Sequence, residues 1–316
     1  MILTPEILTL TLLNLLFAFF SMAALLLSVQ IVLGWDVHAT TQKQYMLEKK
    51  SFLGAVIIKY LFWVKLPLFL FFIFTIDKLS NVITGAMCAA GVVDATPYGT
   101  YLFIVKILNL YLFGLWLVLH YLDVKQETPR YIKTKYALFL AIFPLLACEI
   151  VLELLMFGAI DVSKMVSCCG TLYSSNTGSY ISGIFLVATP LLLGLFYGNY
   201  ILLACLYFVK NRTLYALASA LFTVVALVSL IAFFGTYIYE LPTHHCPFCF
   251  LQKDYYYVGY LLYTLLFLGT FYGLVAGLLE AKSEANLKKS LFFITLYVVA
   301  VSLYPAVYYL RNGVWL

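Results

Sequence analysis

Charge is scarce in this sequence. Only 10% of its 316 residues are Asp, Glu, Lys or Arg, while 64% are hydrophobic. Soluble domains carry about 25% charged and about 45–50% apolar residues. So little charge cannot clothe a water-facing surface, which excludes an ordinary soluble fold. No Gly/Ser-rich linker or low-complexity stretch divides the chain. The gaps between apolar runs are too short for a soluble domain, so residues 1–316 read as a single integral membrane domain. A basic face is also missing. The net charge of +5 is spread over short loops, which leaves no groove for nucleic acid. The first apolar run lacks a basic n-region and is too long for a signal-peptide core, so it reads as a retained first helix.

What is present is a series of apolar runs of about 20 residues, each long enough for a bilayer core of about 30 Å. Eight spans are expected, at Glu6–Gly34, Phe52–Asp77, Gly99–Leu122, Tyr136–Ile160, Tyr180–Phe208, Thr213–Glu240, Tyr255–Glu280 and Ser290–Leu310. Helices and closed barrels are the only structures that cross lipid, and these runs are too long and too uniformly apolar for barrel strands. The expected fold is an all-α polytopic bundle in a lipid bilayer.

Lysine and arginine counts set the orientation. One set of loops holds twelve of these residues, while the other set, with the termini, holds Lys78, Lys164, Lys253 and Arg311. The richer set is expected in the cytoplasm, which places both termini outside. The sequon Asn211-Arg212-Thr213 then lies on the cytoplasmic side and is no glycosylation signal.

No loop on that cytoplasmic side holds a cysteine. Cys88, Cys168, Cys169, Cys246 and Cys249 all fall in loops of the opposite side, while Cys148 and Cys205 fall within spans. The outer face of a bacterial or archaeal plasma membrane is the expected location. That side is oxidising, so thiols there tend to be paired, metal-bound or redox-active. An odd number of outer cysteines points to exchange or metal binding rather than a complete set of staples. Cys168 and Cys169 are adjacent, so either a strained, reducible vicinal disulfide or pairing of one of them with Cys88 is open.

The densest chemistry is the run His244-His245-Cys246-Pro247-Phe248-Cys249. Proline suits the first turn of a helix, which would put Cys246 near the N-cap of span seven. A helix N-terminus and two flanking histidines would both favour its thiolate, the nucleophile of disulfide exchange. Cys249, three residues on, would resolve the mixed disulfide. The same cluster offers ligands for zinc or copper through His244, His245, Cys246 and Cys249, with Cys88 or the Cys168–Cys169 pair completing the shell. A plain structural disulfide is the third reading.

The run Cys246-Pro247-Phe248-Cys249-Phe250-Leu251-Gln252-Lys253 resembles the Cys-Pro-x-Cys-x-x-Gln-Arg segment of DsbB-type membrane oxidoreductases, and more loosely the vitamin K epoxide reductase homologues. The resemblance implies a quinone-linked thiol–disulfide oxidoreductase. Cys246 and Cys249 would be the quinone-proximal pair, with Gln252 and Lys253 near the head group and His245 beside it. Cys88, Cys168 and Cys169 would relay electrons to a soluble thiol protein. Three departures stand out. Lysine replaces the arginine of the motif, losing its planar fork of donors, the family core has four helices against eight spans here, and Cys88, Cys168 and Cys169 are three candidates for the two places of the second pair. Tyr256 and Tyr257 suit either a wall for a flat quinone ring or the aromatic belt of the interface. Two other functions use the same outer residues: copper, zinc or haem handling, and a structural subunit of a respiratory complex.

Lys59, Lys65, Lys106, Glu149 and Glu153 fall inside spans, where ionisable groups are costly and face a partner. Glu149 and Glu153 share a helix face. Matching depths predict the pairs Lys65–Glu149 and Lys106–Glu153, as staples or as a proton path that Lys59 and His120 would extend inward. Pro67, Pro144, Pro190 and Pro305 are expected to kink their spans.

Overall fold

The structure is a computed structural model and describes residues 4–36, 41–126, 131–162, 165–166, 188–279 and 283–316. Among these the chain is helical without strands. It comprises α1 (Pro5–Gly34), α2 (Gln42–Ser80), α3 (Ala89–Asp94), α4 (Gly99–Val124), α5 (Ile132–Ala159), α6 (Thr189–Val209), α7 (Arg212–Ser229), α8 (Gly235–Tyr239), α9 (Val258–Leu278) and α10 (Ser283–Asn312). A π-helical turn, Leu230–Phe234, joins α7 to α8 into one rod. Eight of these segments are long and apolar enough to cross a bilayer. The chain is an all-α integral membrane protein, and the described residues contain the expected eight spans.

Several boundaries differ from expectation, among them the start of α10, at Ser283 rather than Ser290. Helix α2 begins at Gln42, well before Phe52, because Thr41 caps it by accepting from Gln44 N and the polar run that follows is made of good helix formers. Span seven begins at Val258, after Tyr256 and Tyr257, both left-handed at φ 53° and 56°. For span five, residues 180–187 lie outside the described residues. Of the four prolines, Pro67, Pro144 and Pro305 lie inside unbroken helices. Pro190 instead occupies the first turn of α6, where its missing N–H has no intrahelical partner to lose. The break in span six is the π turn, which contains no proline.

The helices of this membrane domain fall into two compact units. The first holds α1, α2, α4 and α5. Helix α2 packs on α1 and α4, and α5 packs on α1 and α4, closing a four-helix ring. The buried residues of α1 show how: Ile7, Leu10, Asn14, Phe17, Ser21, Ala24, Ser28 and Ile31 repeat every three or four positions, a heptad seam. Leu8, Leu12, Phe19 and Leu26 point outward and are exposed. The polar and small residues Asn14, Ser21, Ala24 and Ser28 share the inner face with large apolar ones, while the outer face is apolar, as contact with lipid favours.

The second unit holds α6 to α10 and the loop segment Gly85–Gly91. Helix α7 packs on α6 and α9, and α10 packs on α9 and α6. Both rings thus join helices in chain order, as short connections favour. Close approach here depends on Gly269, Gly273 and Gly277, spaced four apart on α9. A Cβ at Gly273 would stand 2.2 Å from Ser219 Oγ, and one at Gly277 2.3 Å from Ala216 Cβ. Ser290 Oγ donates to Gly269 O at 2.6 Å and accepts from Tyr215 OH at 3.0 Å. This is small-residue packing with interhelical hydrogen bonds.

Candidate functional site

Span six stops at Glu240, which is left-handed at φ 54°, and Leu241 N bonds back to Thr236 O at 3.1 Å. Both are features of a helix C-terminal turn. The chain then folds inward as a plug. Phe250 is fully buried, and its ring stacks on Tyr239 with centroids 4.6 Å apart and planes at 4°. Room for it comes from two glycines. A Cβ at Gly235 would lie 3.1 Å from Phe250 Cζ, and one at Gly259 2.8 Å from Phe250 Cβ. Two tyrosines hold the backbone of the motif. Tyr239 OH donates to Cys246 O, and Tyr263 OH donates to Pro247 O at 2.6 Å.

The plug places Cys246 and Cys249 beside Cys88, which enters just before α3. The three sulfurs all lie within 4.8 Å of one another, and Cys88 Sγ is 3.5 Å from Cys246 Sγ. Exposure is 0% for Cys88, 1% for Cys246 and 6% for Cys249. Gln252 Nε2 secures the arrangement by donating to Met87 O at 3.3 Å. Among the described residues no two sulfurs are joined as a disulfide. Cys168 and Cys169 lie outside the described residues.

Cys246 is not at the N-cap of a membrane helix. A one-turn 3-10 helix, Cys249–Leu251, follows it, and α9 begins only at Val258. Its thiolate is nonetheless favoured. The Cys249 thiol donates to it, Cys88 adds a second sulfur contact, and the amides of Phe248 and Cys249 contribute, together outweighing burial. Cys246 is held well below an ordinary thiol pKa. Cys249 is pushed up, because its proton is held by Cys246 and Cys88 and because it is buried. The histidines do not supply the positive charge expected of them. Burial lowers the pKa of His245 most, and His244 beside it adds to this, against the opposing Ile231 carbonyl. His245 Nδ1 lies 3.1 Å from that carbonyl, in the π turn. His244 sets its ring edge-on to Tyr239 at 4.3 Å, with Nε2 buried and lacking a hydrogen-bond partner. Neither imidazole joins the three sulfurs, so the ligand set His244, His245, Cys246 and Cys249 is not assembled.

A depressed pKa keeps Cys246 ionised as pH falls. Its modification by methyl methanethiolsulfonate, a small apolar reagent, should slow less between pH 8 and pH 6.5 than that of an ordinary thiol. A thiol of ordinary pKa near 8.5 slows about 20-fold over that range. Peptide mapping after timed quenching reads the rate, and a 20-fold fall for Cys246 would show that its thiolate is not stabilised.

The residues expected around a quinone are only partly gathered. Gln252 is engaged with Met87, and His245 with Ile231. Lys253 is exposed, as are Tyr256 at 92% and Tyr257 at 53%. All three stand exposed ahead of α9, while the sulfurs lie buried.

In the first unit the expected ion pairs form. Lys65 Nζ and Lys106 Nζ each lie 3.0 Å from Glu149 Oε1, and Lys106 Nζ lies 2.6 Å from Glu153 Oε2. Two asparagines not anticipated from the sequence take part. Asn109 Nδ2 donates to Glu149 Oε2 at 2.6 Å, and Lys65 Nζ donates to Asn14 Oδ1 at 3.1 Å. A polar amide inside an apolar run was the signal available for both. Asp123 and Lys135 form a further buried pair. Lys59 is exposed beside the Tyr60 ring, and His120 stacks on Trp116.

No family model, curated protein or solved structure matches the chain.

Proposed function

We propose that the protein is a membrane thiol–disulfide oxidoreductase whose working group is the cluster Cys88, Cys246 and Cys249. The observation that carries this reading is the meeting of a Cys-x-x-Cys pair with a third sulfur from a distant loop, all within 4.8 Å. One polarised thiolate, one proton-bearing thiol and one further sulfur are the components that disulfide exchange needs. Oxidation of the pair, one thiolate and one thiol, forms the Cys246–Cys249 bond and releases two electrons and the single proton of Cys249. In exchange, Cys88 as thiolate attacks Cys246 Sγ, the Cys88–Cys246 bond forms, and Cys249 leaves as a thiolate that takes up a proton. A quinone accepts the two electrons together with that proton and a second one from water, and Lys253, Tyr256 and Tyr257 form the surface on which it would rest. The second disulfide partner is an extracytoplasmic thiol protein, reached through Cys168 and Cys169. The termini and all five loop cysteines lie on the extracytoplasmic side of a bacterial or archaeal plasma membrane, on the twelve-to-four bias of lysine and arginine between the loop sets.

The test is oxidation of the dithiothreitol-reduced, purified protein by a water-soluble ubiquinone. Two thiols per chain should be lost, at a rate that falls at least about 10³-fold in Cys246→Ser, since removing a covalent nucleophile removes the step that depends on it. An unchanged rate in the variant would end the proposal.

A further inference from the structure

We infer that the reduced cluster of Cys88, Cys246 and Cys249 is also a binding site for a soft monovalent metal ion, with Cu(I) as the cation that fits. The inference uses the thiols on which the oxidoreductase reading rests and adds a regulator of that site, but it needs no quinone. Three sulfurs around an ion at about 2.3 Å stand about 4.0 Å apart in a trigonal plane. The cluster already holds its sulfurs within 4.8 Å, with one pair at 3.5 Å. A disulfide needs about 2.05 Å, so the resting separations lie nearer to those of a metal–thiolate site than to those of a bond.

The donor set selects the ion. Thiolates favour Cu(I) and zinc over harder cations. Zinc in structural sites takes four ligands, and among the described residues no imidazole or carboxylate joins the three sulfurs. The rigid frame also suits a site. Tyr239, Tyr263 and Gln252 anchor the backbone on both sides of the cluster, and the sulfurs are buried, which keeps out competing water. Binding exchanges thiol protons for the metal and moves no electrons. Bound metal occupies the sulfur lone pairs, so the loaded cluster resists oxidation and exchange.

The experiment uses the full chain, reduced and metal-free in detergent, titrated with Cu(I) against a chromophoric chelator. One Cu(I) per chain is expected to bind, and three fewer thiols should react with iodoacetamide in the loaded protein. Cys88→Ser should weaken binding at least about 100-fold, since even outer-shell changes cost about 10–100-fold in metal affinity. Cys246→Ser, with helicity checked by circular dichroism, serves if Cys88→Ser does not fold. No binding, unchanged binding in both variants, or tighter binding of zinc than of Cu(I) would overturn the inference. Copper binding without quinone-dependent oxidation would overturn the oxidoreductase reading alone, and oxidation without copper binding would overturn only this inference.

Discussion

Cys249→Ser should trap a Cys88–Cys246 disulfide. With Cys249 gone, the sulfur at 3.5 Å from Cys246 is that of Cys88, and closing to a bond length of about 2.05 Å asks for side-chain rotation rather than backbone movement. In the intact protein Cys249 competes for Cys246 and reverses any such bond, because exchange runs through attack by a neighbouring thiolate. In the variant no further thiol among the described residues joins the cluster to perform that reversal. After mild oxidation, more than about half of the chains should carry the linked peptides under non-reducing digestion, against a minor fraction in the wild type. Dithiothreitol should release them. If Cys88 and Cys246 both stay alkylatable after oxidation, the exchange step proposed here does not occur.

Glu149→Gln should cost the protein much of its stability. Glu149 alone serves two ammonium groups, Lys65 and Lys106, and also accepts from Asn109. All four side chains are buried. Neutralising the carboxylate leaves two buried positive charges facing one remaining carboxylate, Glu153. Removing one partner of a buried pair costs about 3–5 kcal/mol. Glu153→Gln should be milder, because among the described residues Glu153 is paired with one ammonium group, Lys106, where Glu149 is paired with two. The yield of folded protein and the midpoint of thermal aggregation read both effects. Adding Lys65→Met to Glu149→Gln should recover part of the loss, since an apolar side chain no longer needs the carboxylate. Normal yield and stability in Glu149→Gln, with lost activity, would instead identify the cluster as a proton path.

Much of the fold was legible because lipid imposes a simple rule: each crossing must be a long apolar helix. Five of the eight expected spans match their helices to within four residues at both ends; α2 and α10 start earlier, and the expected start of span five lies outside the described residues. The charge pairs were legible too, since a lysine in hydrocarbon needs a carboxylate at its own depth. The π turn in span six was not legible. It carries no proline, and its Leu-Ile-Ala-Phe-Phe sequence is as apolar as any ordinary turn. The surroundings of His244 and His245 were not legible for a related reason. Residue type marks them as ligands, but packing turned one to a carbonyl and the other to a tyrosine ring.

By itself the sequence determined the solvent, the number of crossings, and the Cys-x-x-Cys motif between spans six and seven. Those properties follow from composition and local order, which act over tens of residues. Only the tertiary structure decided that Cys88 is the sulfur beside Cys246, 158 positions away in the chain. Such a meeting depends on how Phe250, Tyr239 and two glycines fill space inside the second unit, and close packing of that kind leaves no periodic trace in the sequence.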